Sequence, residues 1–173
     1  MYPVNVILYR DGVSDSQQDS MAAQEIQQIE QALARLPDIK FVYISVNKRI
    51  STRLFSLSRR GPDAPSQGLV VDSGIVKKDP ALPEKKEFFI VSQAAIRGVA
   101  QPTHYVVLRS TVKQTLEELE LFTYRICYLY YNVTGAISEP APIRYAHRLS
   151  NVVGDAPGVY QPNAGLSEKL YFL

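Results

Sequence analysis

Val4-Asn5-Val6-Ile7-Leu8-Tyr9-Arg10-Asp11-Gly12 decides the architecture. Val4 to Tyr9 is a short, β-branched and nearly unbroken apolar run, which predicts a buried strand of the kind found in parallel sheets, and Arg10-Asp11-Gly12 ends it. A polar stretch follows, with Ser14 and Ser16 as candidate caps. It leads into a helix whose apolar positions Ala22, Ile26, Ile29, Leu33 and Leu36 share one face and which Pro37 closes. Lys40 to Asn47 alternates weakly and predicts the next strand. The unit is therefore β-α-β, with its two strands parallel.

Beyond it, Ser56 to Gln67 is rich in Ser, Arg, Pro and Gly and is expected to be a surface loop before a short strand at Leu69 to Asp72. Lys77 to Lys86 predicts a second exposed connection. Two further strands are expected at Glu87 to Ser92 and His104 to Arg109. Thr111 with Gln114 has the pattern of a capping box. The helix it would open carries the apolar stripe Val112, Leu116, Leu119, Phe122, Ile126 and Leu129. A final helix should start at Pro142 and stop before Gly154. The expectation is one α/β domain over residues 1–173, with four or five strands and three helices, and no internal repeat.

Composition sets wide limits. With 173 residues, 46% hydrophobic and 21% charged, the chain can bury a core and has none of the marks of a disordered protein. Its apolar runs fall far short of the roughly 20 residues that span a bilayer, and no basic flank with an apolar signal core follows Met1. A cytoplasmic or nuclear protein with no membrane partner is expected. The single Cys127 lies in an apolar helical pattern, which fits a reduced compartment and makes a poor nucleophile. A net charge of +2 permits a nucleic-acid partner but does not require one.

Two residues are candidates for chemistry. Asp11 is a carboxylate at the C-terminal tip of a strand, braced by a Gly that lets the chain turn away, which is how open α/β sheets present metal ligands; Asp-Gly is also a common turn pair. His147 lies alone on a helix, as a ligand or as a packed imidazole. Spacing does not join them. Lys48, Arg49 and Arg53 form a basic cluster after the second strand, suited to a phosphate backbone or simply to a solvated strand end. Asp15, Asp19, Glu25 and Glu30 are more simply read as the solvated face of the first helix.

Five strings occur in an order that resembles the Argonaute and Piwi families. They are Tyr9-Arg10-Asp11-Gly12-Val13-Ser14, then Lys48-Arg49 with Ser51-Thr52-Arg53-Leu54-Phe55, then Gly68-Leu69-Val70-Val71-Asp72, then Gln101-Pro102-Thr103-His104-Tyr105 with Val107-Leu108, and Pro140-Ala141-Pro142 with Tyr145-Ala146-His147. The likeness covers nearly the whole chain. Tyr130-Tyr131-Asn132 and the end Leu170-Tyr171-Phe172-Leu173 lean toward the Piwi branch. The resemblance implies the C-terminal portion of a PIWI domain, an RNase H-like fold with a mixed sheet flanked by helices.

The resemblance also implies roles. Cleaving members of the family hold two divalent ions, Mg²⁺ or Mn²⁺, with two aspartates, a glutamate and a histidine. Asp11 matches the second aspartate and His147 the histidine, while the other two ligands lie upstream of this chain. The site is thus expected to be incomplete, and the isolated chain not to cleave RNA. Lys48, Arg49 and Arg53 would face the guide backbone. Gln93, Arg97, Tyr130, Ser138 and Arg144 fall where family members touch guide phosphates, although Arg97, Val99 and Gln101 depart from the commoner Gln, Thr and Arg. Tyr105 and Tyr145 are candidates for stacking on bases, against the plainer reading that the eleven tyrosines of an α/β chain are mostly core and rim. Val152 stands where many Argonautes have a phosphate-binding arginine, so the Leu173 carboxylate would instead hold a metal beside the guide 5′ phosphate, as in Piwi proteins, unless the apolar end Leu170-Tyr171-Phe172-Leu173 simply docks on the core. The implied partners are guide small RNA, its complementary target RNA and the upstream remainder of the protein. Three functions stay open: guide binding in RNA-mediated silencing, a truncated module that competes with a full-length relative, and an active endoribonuclease when the upstream segment is present.

Overall fold

The computed structural model describes residues 3–12, 15–36, 38–59, 61–72, 86–95, 99–155, 158 and 163–173. The expected β-α-β unit is there: β1 (Asn5–Asp11), α1 (Asp15–Leu33) and β2 (Lys40–Asn47), with β1 and β2 parallel from Asn5↔Lys40 to Asp11↔Val46. Two short strands follow, β3 (Ser56–Ser58) and β4 (Gly61–Asp63), then β5 (Leu69–Val71), β6 (Lys86–Val91) and β7 (Thr103–Ser110). The helices α2 (Leu116–Ile126) and α3 (Ala141–Gly154) come last, with a 3₁₀ turn at Ala164–Leu166. The main sheet is ordered β1-β2-β7-β6-β5, and every pairing after β1/β2 is antiparallel.

Period-two alternation along β2 explains the layers. Val42, Ile44 and Val46 point to one face, where Phe88, Ile90, Tyr105, Leu119 and Ile143 close a buried cluster under α2 and α3. Phe41 and Tyr43 point to the other, against Ile26, Ile29 and Leu33 of α1. Three of the five positions expected on the inner face of α1 therefore pack as read; the Ala22 side chain and Pro37 lie outside the described residues.

Several expectations are corrected. β1 is half-exposed along most of its length rather than buried, because among the described residues it has only β2 beside it. An apolar run reads the same whether a strand has one neighbour or two. The Ser56 to Gln67 loop contains the β3–β4 hairpin, tied by Ser58 Oγ donating to Gly61 O at 2.9 Å. The capping box is not at Thr111. Thr115 Oγ1 accepts from Glu118 N at 3.2 Å, and the Glu118 carboxylate accepts from Thr115 N at 2.9 Å. Thr111 instead extends the β2–β7 pairing, its Oγ1 accepting from Phe41 N at 2.8 Å. Val112 and Leu129 accordingly fall outside α2. Ser16 lies within the first turn of α1 rather than before it, Ser14 is outside the described residues, and Gly154 is the last residue of α3.

Candidate functional site

Parallel pairing sets Asp11 and the end of β2 at the same edge of the sheet, since Asp11 is in register with Val46 and Lys48 follows two residues later. Gly12, at φ 82°, takes the chain away from Asp11 in a conformation that costs an L side chain strain. Pro at the start of α3 and the burial of Ala141 and Ile143 seat that helix against the sheet, and α3 packs on β1. His147 Nε2 thereby comes to 3.0 Å from Asp11 Oδ2. A cleft of about 390 Å³ opens beside them, lined by Tyr9, Arg10, Ile143 and Ser150 among others.

Lys48 is part of the same cluster. Its Nζ lies 3.3 Å from Asp11 Oδ2 and also donates to Oε2 of Glu139, a carboxylate only 1% exposed. Arg144 Nε stands 2.7 Å from Glu139 Oε1, an ion pair by distance although its N–H is not directed along a hydrogen bond. Glu139 was not legible as a site residue. The one available signal was its isolation, as the sole charge between Arg125 and Arg144.

The remaining predicted residues are more dispersed. Arg49 is exposed, and its backbone N–H donates to Asn47 Oδ1 at 3.0 Å. Arg53 Nη1 donates to Ile50 O and Thr52 O, both at 2.8 Å, bracing its own exposed loop. Lys48, Arg49 and Arg53 therefore do not form one free basic patch, because the Lys48 charge faces two carboxylates. Gln93 is exposed past the end of β6. Ser138 is half-buried, and its carbonyl accepts from Thr103 Oγ1 at 2.5 Å. Tyr130 is buried and packs on Tyr145 with ring centroids 5.4 Å apart. Arg97 lies outside the described residues.

Neither tyrosine expected to stack on bases is placed to do so. Tyr105 is fully buried and stacked on Phe88 at 5.0 Å. The Tyr145 hydroxyl donates to Leu129 O at 2.8 Å, and its ring meets Phe172 edge-on at 6.1 Å, which docks the chain end on α3 and brings Leu173 with it. The carboxylates of α1 are not simply solvated either. Glu25 takes hydrogen bonds from Tyr43 and Arg10, which hold its pKa below the usual carboxylate value, and Glu30 pairs with Arg109 at 2.8 Å. Asp15 and Asp19 side chains lie outside the described residues. Burial pushes the Cys127 thiol up to about 11, which leaves it a protonated core group.

As they stand, these donors do not make a two-ion centre. Asp11 and His147 supply one carboxylate and one imidazole, an ammonium sits on the carboxylate, and no group of three His, Cys, Asp or Glu able to hold a metal occurs among the described residues.

A mixed five-stranded sheet with helices on both faces and an Asp–His pair at its edge defines an RNase H-like PIWI fold. The chain belongs to the Piwi domain family, whose match covers residues 1–156. It is 40% identical to Piwi-like protein Ago3 of Bombyx mori over 99% of this chain and 18% of that protein. The crystal structure of Drosophila Piwi superposes over the whole chain, with a TM-score of 0.80 and 32% identity, covering 23% of that chain. Kluyveromyces polysporus Argonaute, solved with a guide RNA, matches 87% of this chain and 18% of its own at a TM-score of 0.73 and 25% identity. The lean toward Piwi proteins agrees with these relatives. The chain spans about a fifth of the length of the curated relatives it matches. Among the described residues, no helix is long and apolar enough to cross a membrane.

Proposed function

We propose that this chain is the part of a small-RNA silencing protein that holds the guide RNA and contributes half of a metal-dependent cleavage site. The observation that carries the reading is the Asp11–His147 contact of 3.0 Å at the C-terminal edge of β1, within a chain similar to an Argonaute solved with guide RNA. Asp11 and His147 hold Mg²⁺ or Mn²⁺ weakly by themselves and form a two-ion site only when upstream residues supply the missing donors. Arg49 and Arg53 are the exposed cations for the guide backbone, Gln93, Arg97, Ser138 and Arg144 are the further phosphate contacts, and Lys48, paired with two carboxylates, and Tyr130, buried, join them only on rearrangement. The Leu173 carboxylate serves a metal beside the guide 5′ phosphate. Target RNA pairs with the guide, and the upstream remainder of the protein packs on the open edge. The working place is the cytoplasm or nucleus.

Filter binding with a 5′-phosphorylated short RNA tests this. Wild-type chain should retain the RNA with an affinity that falls with salt, and Arg49→Ala and Arg53→Ala should each lower the log–log salt slope by about 0.7. The same RNA should stay intact with Mg²⁺ or Mn²⁺. Failure to bind at low salt would favour a module that competes for partner proteins, and cleavage would favour a self-sufficient nuclease.

A further inference from the structure

Among the described residues Glu139 is the most buried charged side chain. A carboxylate 1% exposed is tolerated only when cations compensate it, and here Lys48 and Arg144 do so from opposite oxygens. Lys48 is fixed from its backbone as well. Gln101 Nε2 donates to its carbonyl at 3.2 Å, and Arg49 N beyond it donates to Asn47 Oδ1 at 3.0 Å. The ammonium thus cannot swing into solvent without leaving a buried carboxylate half compensated. From that position it faces the other carboxylate of the site, 3.3 Å from Asp11 Oδ2.

We propose that Lys48, anchored by the buried Glu139, is a built-in cation that occupies Asp11 and keeps divalent metal off it until the rest of the site is assembled. An ammonium at this range repels an incoming dication and occupies space beside Asp11 Oδ2 that a metal would need. Glu139 is the positioning residue of this lock and Lys48 its bolt. The inference rests on Asp11 being a metal ligand.

Mn²⁺ titration of the whole chain, with free ion followed by electron paramagnetic resonance, requires neither RNA nor cleavage. Lys48→Met should tighten Mn²⁺ binding at least about tenfold, and Glu139→Gln, which frees Lys48 without removing it, about threefold. Lys48→Met leaves Glu139 to Arg144 alone and strains the fold. Lys48→Met with Glu139→Gln removes the buried charge together with its partner and is the second variant, with the same expected gain. Adding Asp11→Asn to either should abolish it. Binding in the wild type that depends on Asp11 and is unchanged by Lys48→Met overturns the lock while Asp11 remains a ligand. A gain with Lys48→Met but none with Glu139→Gln overturns the anchoring role. A gain that survives Asp11→Asn, or no Mn²⁺ bound by any variant, overturns both the lock and the ligand assignment.

Discussion

Asp11 Oδ2 and His147 Nε2 stand 3.0 Å apart, although one residue ends the first strand and the other lies in the second turn of the last helix. The His147 side chain is 53% exposed and Asp11 15%, so the imidazole end of the contact is screened by solvent and the contact contributes little to the fold. Asp11→Ala and His147→Ala should each change unfolding free energy by less than about 1 kcal/mol, with a coupling of at most about 0.5 kcal/mol in a double-mutant cycle. Urea melts of the four proteins measure it. A coupling several times larger would make this contact structural, and the two residues would be poor candidates for a site.

The Lys48–Glu139 contact belongs to a different regime, because Glu139 is buried. Removing Lys48 leaves that carboxylate with Arg144 alone and should cost about 2–4 kcal/mol. Glu139→Gln, which keeps the shape and drops the charge, should cost less than about 1.5 kcal/mol. Chemical denaturation with both variants checks the order, and the reverse order would mean that the carboxylate is hydrated.

Thr115 and Thr111 separate cap from strand extension. Thr115→Ala breaks the capping box at the start of α2 and should cost about 1 kcal/mol, and Glu118→Ala should lose part of the same amount without adding to it. Thr111→Ala removes the hydroxyl that meets Phe41 N at 2.8 Å, so its effect should appear as faster amide exchange at Phe41 rather than in α2. Native-state hydrogen exchange distinguishes the two.

Glu120 supplies a pH dependence. Desolvation first, then Asp72 and Glu117, raise its pKa from 4.5 to about 7. A carboxyl whose pKa is higher in the folded state binds more protons there than in the unfolded chain. Its protonated form therefore stabilises the fold below about pH 4.5, and that contribution is lost as pH rises through about 7. Glu120→Gln should raise Tm at about pH 8 and leave it nearly unchanged at about pH 4. Equal shifts at both pH values would remove Glu120 as the titrating group.

Much of this protein was legible in its sequence because the relevant information is local. The apolar run before Asp11, the face of Ile26, Ile29 and Leu33, and the alternation in Lys40 to Asn47 fix strand, helix and parallel strand, and a glycine after Asp11 marks the turn that presents it. Resemblance alone linked Asp11 to His147 before any distance was known. Only the tertiary structure decided which strand is the edge, which threonine caps α2, that Tyr105 and Tyr145 are committed to packing and hydrogen bonds, and that Lys48 serves two carboxylates. Each of these depends on which distant side chain arrives alongside. Burial and ion pairing are properties of the assembled sheet and its helices, and a residue such as Glu139 carries no mark in the chain of the cations that will compensate it.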